Sequence, residues 1–146
     1  MPEPPDVPGD VPRDPAAGER RKPFEYAIVR VVPRVERGEA FNAGIVLHSR
    51  PHRYLAARTE LDEAVLAALS PDCDPESVRE HLSLIDRIAD GDAEAGPIAA
   101  LSAPERFHWL VSPSSTMIQA TPVHTGLTAD PGATLDHLFR TLVRRA

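Results

Sequence analysis

The stretch FEYAIVRVV, residues 24–32, decides the fold because it is apolar on both faces of the strand that it predicts. Alternation places on one face Phe24, Tyr26, Ile28, Arg30 and Val32, and on the other Glu25, Ala27, Val29 and Val31. A strand with two apolar faces is typical of the interior of a sheet. Arg30 is the exception, because its charged side chain projects from an otherwise apolar row.

Three further strands are predicted along the chain. Gly38 marks a hairpin turn that leads into the strand FNAGIVLHS, residues 41–49. Gly44 in that strand suits a bulge or a close backbone approach. The strand's other face is predicted to carry Phe41, Ala43, Ile45 and Leu47. The other two predicted strands are RYLAAR, residues 53–58, and STMIQAT, residues 115–121.

Four amphipathic helices are predicted from apolar periodicity and from capping residues. They cover residues 59–69, 74–91, 102–111 and 130–146. The predicted N-cap residues are Thr59, Asp74, Ser102 and Asp130. In the third helix, Trp109 lies opposite its other apolar residues, and we expect Trp109 to be buried in the core rather than to line a cleft.

The order of these elements predicts an α+β fold. Three strands precede three helices, and a strand and a helix follow, so we expect an antiparallel sheet of about four strands covered by about four helices on one side. The strand order is left open. Residues 23–146 are predicted to form this single α+β domain, and the Pro-rich, charged residues 1–22 a disordered N-terminal tail.

Composition and charge exclude several classes of function. The 146 residues include 16 basic and 22 acidic side chains, giving a formal net charge of −6, whereas a nucleic-acid-binding protein usually carries a basic surplus. No run approaches the length of a membrane span, and the N-terminus lacks the apolar segment of a secretory signal. A single cysteine, Cys73, cannot form an internal disulfide. We therefore expect a cytoplasmic protein that binds neither nucleic acid nor membrane.

No motif predicts a catalytic residue, a metal site or a cofactor. The nucleophile pattern G-x-S-x-G and both Gly-rich phosphate loops are absent. Asp130 is better explained as a helix cap than as a member of a Ser-His-Asp triad. His48 and His52 straddle a turn without a third ligand at a recognisable spacing, so both are expected on the surface.

The stretch SPSSTMIQATPVHTG, residues 112–126, gathers small polar side chains and has two interpretations. In the structural one, its hydroxyls satisfy neighbouring backbone groups and Gly126 permits a turn with positive φ. In the functional one, side chains converge on a small anionic or polar ligand, with guanidinium, hydroxyl and imidazole groups as donors. The candidate ligand-binding residues are Arg30, Arg106, Ser115, Gln119, His124 and Thr125.

Three segments resemble a bacterial family known as domain of unknown function 3037. They are YAIVRVVPRVERGEAFNAGIVL, RFHWLVSPSSTMIQATPVHTGL and DPGATLDHLFRTLV, and the resemblance spans residues 25–143. The matching pattern positions are Asn42, Gly44, Arg106, Phe107, Trp109, Leu110, Ser112, Pro113, Ser115, Thr116, Pro122, His124, Thr125 and Gly126. The resemblance implies an association with a HipA-like serine/threonine kinase, because members are often encoded beside one.

Two functions are compatible with these sequence features. The first is a non-catalytic accessory or partner protein of a HipA-like kinase. The second is an enzyme or sensor that binds a nucleotide or another phosphorylated small ligand. An open cleft lined by Arg30, Arg106 and the Ser-Thr-His set would favour the second, and a filled core at that place would favour the first.

Overall fold

The computed structural model describes residues 20–114 and 116–145, so most of the predicted tail and Ser115 lie outside the described residues. Its strands are β1 (Lys22–Val31), β2 (Phe41–Ser49), β3 (Tyr54–Thr59), β4 (Ile118–Ala120) and β5 (His124–Thr128). Its α-helices are α1 (Glu63–Leu69), α2 (Pro75–Asp90), α3 (Ala103–Val111) and α4 (Pro131–Leu142). Two short 3₁₀ turns, Ala93–Ala95 and Pro97–Ala100, connect α2 to α3. The predicted α+β class is confirmed.

The sheet is antiparallel and β1 is central, as its two apolar faces predicted. The order is β3-β2-β1-β4, and β5 also pairs with β1. β4 pairs with the end of β1 at Val29–Val31, and β5 pairs with its beginning at Lys22–Tyr26. Thr121 bridges the gap, because its N–H donates to the Ile28 carbonyl and its Oγ1 accepts from the Ile28 N–H, both at 2.9 Å. β4 and β5 thus form one interrupted edge.

A β-bulge lies where Gly44 predicted one. β1 and β2 pair Val29 with Gly44 but Arg30 with Asn42, which leaves Ala43 as an extra residue in β2. Gly44 also permits a close approach, because a Cβ there would lie 2.7 Å from Thr59 Cγ2 on β3. The bulge shifts the alternation of β2, so the prediction of a single face for its four apolar residues is wrong. Phe41 and Ala43 join one core cluster, while Ile45 and Leu47 join the other.

Helices cover both faces of the sheet, so the expected coverage of one side is wrong. On one face α4 packs against β2 and β3 through Leu135, Leu138 and Phe139. On the other face lie α1, α2 and α3, whose core residues include Leu66, Val78, Leu82 and Phe107. The physical reason is that β1 and β2 are apolar on both sides, and each apolar face has to be buried.

Most helix ends form where capping chemistry predicted them. The side chains of Asp74, Ser102 and Asp130 accept backbone N–H groups in the first turns of α2, α3 and α4. Gly91 ends α2 in the left-handed region, at φ 73°. The prediction of Thr59 as the cap of α1 is wrong: Thr59 ends β3, and Asp62 accepts from the Val65 N–H instead.

Candidate functional site

A groove of about 330 Å³ opens between α2, the end of α3 and the interrupted edge of the sheet. Its apolar part consists of Val29, Leu84, Ile85, Ile88, Trp109, Leu110, Pro113, Ile118 and Ala120. Its polar part consists of His81, Ser112, Ser114, Thr116 and Gln119. Among the described residues, no Arg, Lys, Asp or Glu lines this groove. A concave apolar surface with a few polar groups is typical of a binding site.

Trp109 lies at the rim of this groove with 46% of its surface exposed. The prediction that Trp109 belongs to the core is therefore wrong. α3 is anchored by Phe107, which is 5% exposed and packs in the core below. Trp109 follows two residues later, about 200° around the helix, so its indole faces away from that core. Its position opposite the other apolar residues of α3 was the sequence signal for a cleft.

The hydroxyl groups of the rim bond mainly to one another and to the backbone, as the structural interpretation predicted for residues 112–126. Ser112 Oγ donates to the His108 carbonyl at 2.6 Å, and Thr116 Oγ1 donates to the Ile118 carbonyl at 2.9 Å. Ser114 Oγ and Thr116 Oγ1 lie 2.7 Å apart. Gln119 Nε2 donates to the Thr116 carbonyl at 2.8 Å. These bonds fix the shape of the connection between α3 and β4.

The predicted ligand-binding residues fall on two faces of the sheet. Arg30 and Gln119 are cross-strand partners, and Arg30 also pairs with Asn42, whose side chain bonds to the Leu142 carbonyl on the α4 face. His124 is on the same face, where its ring lies 5.3 Å from that of Tyr26. Arg30 lies four positions after Tyr26 in β1, which is about 13 Å along a strand.

Arg106 and Thr125 belong to the opposite face. Thr125 is paired with Glu25, which lies 3.8 Å from His48 beneath α3. The Arg106 guanidinium donates to the Leu101 carbonyl at 2.8 Å and to the Ala89 carbonyl at 3.3 Å. These bonds tie the end of α2 to the start of α3. Of the six residues only Gln119 lines the groove and Ser115 lies outside the described residues, so a ligand-binding role for the set stays a prediction.

The turn predicted at Gly126 is wrong, because Gly126 lies within strand β5. Gly126 does not have a positive φ. It is required instead by a neighbour, since a Cβ at this position would lie 2.7 Å from Cε1 of the buried Phe24 ring. The apparent turn signal therefore marks a close packing contact within the sheet.

Sequence reasoning missed two ionisable groups that are partly or fully buried, Asp86 and His48. Asp86, on the side of α2 that faces β3, accepts from Thr59 Oγ1 at 2.7 Å, and its Oδ1 is buried without a hydrogen-bond partner among the described residues. Burial raises the pKa of this carboxyl to about 6, with a smaller contribution from the nearby charge of Asp90. The periodicity of α2 gave no signal, because Asp86 lies beside the apolar stripe rather than in it.

His48 is the second such group, and its expected place on the surface is wrong. It is 6% exposed, and its ring lies 5.1 Å from that of Phe107. Burial lowers the pKa of this imidazole, although the neighbouring Glu25 carboxylate opposes the effect. His52 bonds through Nε2 to the Thr128 carbonyl at 2.9 Å. Within the described ranges, no cluster of three or more His, Cys, Asp or Glu side chains could hold a metal ion.

Comparison with known proteins identifies the family. Residues 26–143 match the family described as "Protein of unknown function (DUF3037)". The chain belongs to this family. No curated protein and no solved structure matches the chain significantly. Across residues 20–114 and 116–145, none of the helices has the length and apolar character needed to traverse a bilayer.

Proposed function

We propose that this DUF3037 protein is a cytoplasmic, non-catalytic accessory protein that binds a HipA-like serine/threonine kinase through the groove beside Trp109. The choice of kinase comes from the family resemblance. The observation that carries the docking role is the half-exposed Trp109 above an apolar groove, because exposed tryptophans at the edge of apolar pockets are frequent anchors of protein interfaces. The absence of charged side chains among the described lining residues favours an apolar, uncharged segment of the partner as the occupant.

The alternative, a nucleotide or another phosphorylated ligand, has less support. Such a ligand needs cationic donors, and Arg is the preferred one. Arg106 bonds to two backbone carbonyls at the junction of α2 and α3, and Arg30 lies on the α4 face of the sheet. Neither guanidinium lines the groove.

Measuring the affinity of the full chain for a purified HipA-like kinase by calorimetry tests this proposal. We expect Trp109→Ala to weaken binding about thirtyfold, since a central interface tryptophan contributes about 2 kcal/mol or more. Val35→Ala is the matched control, because Val35 is also an exposed large apolar residue, at 45%, and lies outside the groove. Failure of the wild-type chain to bind at micromolar concentration would contradict the kinase assignment. Equal affinities for both variants would contradict docking at the groove.

A further inference from the structure

Among the described residues of the groove rim, the hydroxyl hydrogens of Ser112, Ser114 and Thr116 are already engaged inside the protein. Ser112 and Thr116 each donate to a backbone carbonyl, which can only accept. Because the single hydroxyl hydrogen of Thr116 is used in this way, Ser114 must be the donor in the Ser114–Thr116 bond. What these three hydroxyls still offer to a bound group is oxygen lone pairs.

His81 adds an acceptor on the facing wall. Its Nδ1 lies 2.8 Å from the Ser77 carbonyl of the same helix, so Nδ1 carries a hydrogen. In the neutral imidazole this fixes the tautomer and leaves the lone pair on Nε2, at the opposite side of the ring. His81 is exposed and lines the groove, so this acceptor is accessible from it.

The described side chains of the groove therefore offer more acceptors than donors. Among its described polar side chains on the α2 and α3 side of the sheet, the donor that remains is the indole N–H of Trp109, because Gln119 is the cross-strand partner of Arg30 and its side chain belongs to the α4 face. A phosphate or a carboxylate offers only acceptors and would face these lone pairs without a cation to balance its charge. The net charge of −6 also repels an anionic ligand.

On the basis of the proposed docking function, we infer that the partner segment entering the groove presents an apolar side chain next to a neutral N–H or O–H donor, which bonds to His81 Nε2. His81 is thereby a specificity-determining residue. The apolar part of the segment lies against Ile85, Ile88 and Trp109. An acidic or phosphorylated segment is excluded from the groove by the same arrangement of acceptors.

Trp109 supplies the assay, because it is the only tryptophan in the chain and lies at the rim. Its emission, excited selectively, is titrated with three small probes that share a phenyl ring: 2-phenylethanol, its methyl ether and 3-phenylpropionate. The alcohol carries a donor, the ether carries only an acceptor, and the propionate is anionic. We expect the alcohol to change the emission saturably and the propionate to bind most weakly.

The comparison of alcohol with ether in two variants isolates the hydrogen bond from the apolar contact. His81→Phe should lower the alcohol-to-ether affinity ratio about fivefold, the effect of one hydrogen bond of about 1 kcal/mol. His108→Phe is the control, since this exposed imidazole of α3 does not line the groove. The inference is overturned if the propionate binds as tightly as the alcohol, if no probe perturbs Trp109, or if both variants keep the wild-type ratio.

Failure of this inference is distinguishable from failure of the proposed function. If Trp109→Ala abolishes kinase binding while the probes show no preference for a donor, docking at the groove stands and only the chemistry assigned to its occupant is wrong. If the probes show the donor preference but the kinase does not bind, the groove recognises the predicted chemistry in some other partner.

Discussion

Replacing Asp86 by Asn should change the free energy of unfolding relative to the wild type more favourably at pH 8 than at pH 4.5. In the wild type the folded-state pKa of Asp86, about 6, is above the value of 3.8 for an unperturbed Asp. The folded state therefore disfavours the carboxylate. This penalty is absent below pH 3.8, grows as the pH rises, and is complete above pH 6. Asn occupies nearly the same volume, keeps an acceptor for Thr59 Oγ1 and carries no charge at any pH.

The size of the effect follows from the difference between the two pKa values. One pKa unit is worth about 1.4 kcal/mol, so the full penalty is about 3 kcal/mol, of which about 2 kcal/mol develops between pH 4.5 and pH 8. A constant cost is expected at both pH values, because the Asn amide places unpaired N–H groups where Oδ1 of Asp86 is buried. The pH-dependent difference between variant and wild type is therefore the informative quantity.

Urea unfolding at pH 4.5 and pH 8 measures this difference directly. The free energy of unfolding of Asp86→Asn should gain about 2 kcal/mol on the wild type between the two pH values. Asp72→Asn, at an exposed position between α1 and α2, controls for a general change in charge and should track the wild type. If the difference in the free energy of unfolding between Asp86→Asn and the wild type is the same at pH 4.5 and pH 8, the carboxyl of Asp86 is not desolvated as the fold implies.

Three other perturbations probe the sheet and the tail. Gly44→Ala should lower the free energy of unfolding by about 1–3 kcal/mol in urea titrations, because a Cβ would lie 2.7 Å from Thr59 Cγ2 and 2.9 Å from the Arg58 carbonyl; wild-type stability would refute the close approach. Thr121→Val should cost about 1–3 kcal/mol and expose the Ile28 amide to hydrogen exchange, and continued protection of that amide would contradict its bond to Thr121. Deleting residues 1–19, which leaves Lys22 and the rest of β1 intact, should leave the melting temperature almost unchanged, whereas a loss of more than about 1 kcal/mol would show that the tail docks on the domain.

The elements that depend on local chemistry were predictable from the sequence. The caps at Asp74, Ser102 and Asp130 each bond to a backbone N–H two or three residues further along, so adjacent residues determine them. The central position of β1 followed from its two apolar faces. The same two apolar faces already implied helices on both sides of the sheet. The order of the elements along the chain was instead taken to place all helices on one side, which is wrong for α4.

Features that depend on register and on distant contacts were not predictable. Gly44 indicated a bulge, yet the resulting change of face between Ala43 and Ile45 needs the pairing with β1 to be known. Gly126 resembled a turn residue because the ring of Phe24, about a hundred positions earlier, gave no local signal. Arg106 was predicted to be a ligand-binding residue because its guanidinium had no partner that the sequence could identify. Its partners are the carbonyls of Ala89 and Leu101, which only the packing of α2 against α3 brings close.

Photo-crosslinking from position 109 in cells that express a HipA-like kinase tests the proposed docking at the groove most directly. A photoreactive phenylalanine derivative replaces Trp109 in one variant and Val35 in the other, since the two residues have nearly equal exposure, 46% and 45%. The proposed docking role predicts a covalent adduct of this chain with the kinase from position 109 and none from position 35. Adducts from both positions in equal yield, or no kinase adduct from position 109, would contradict docking at the groove.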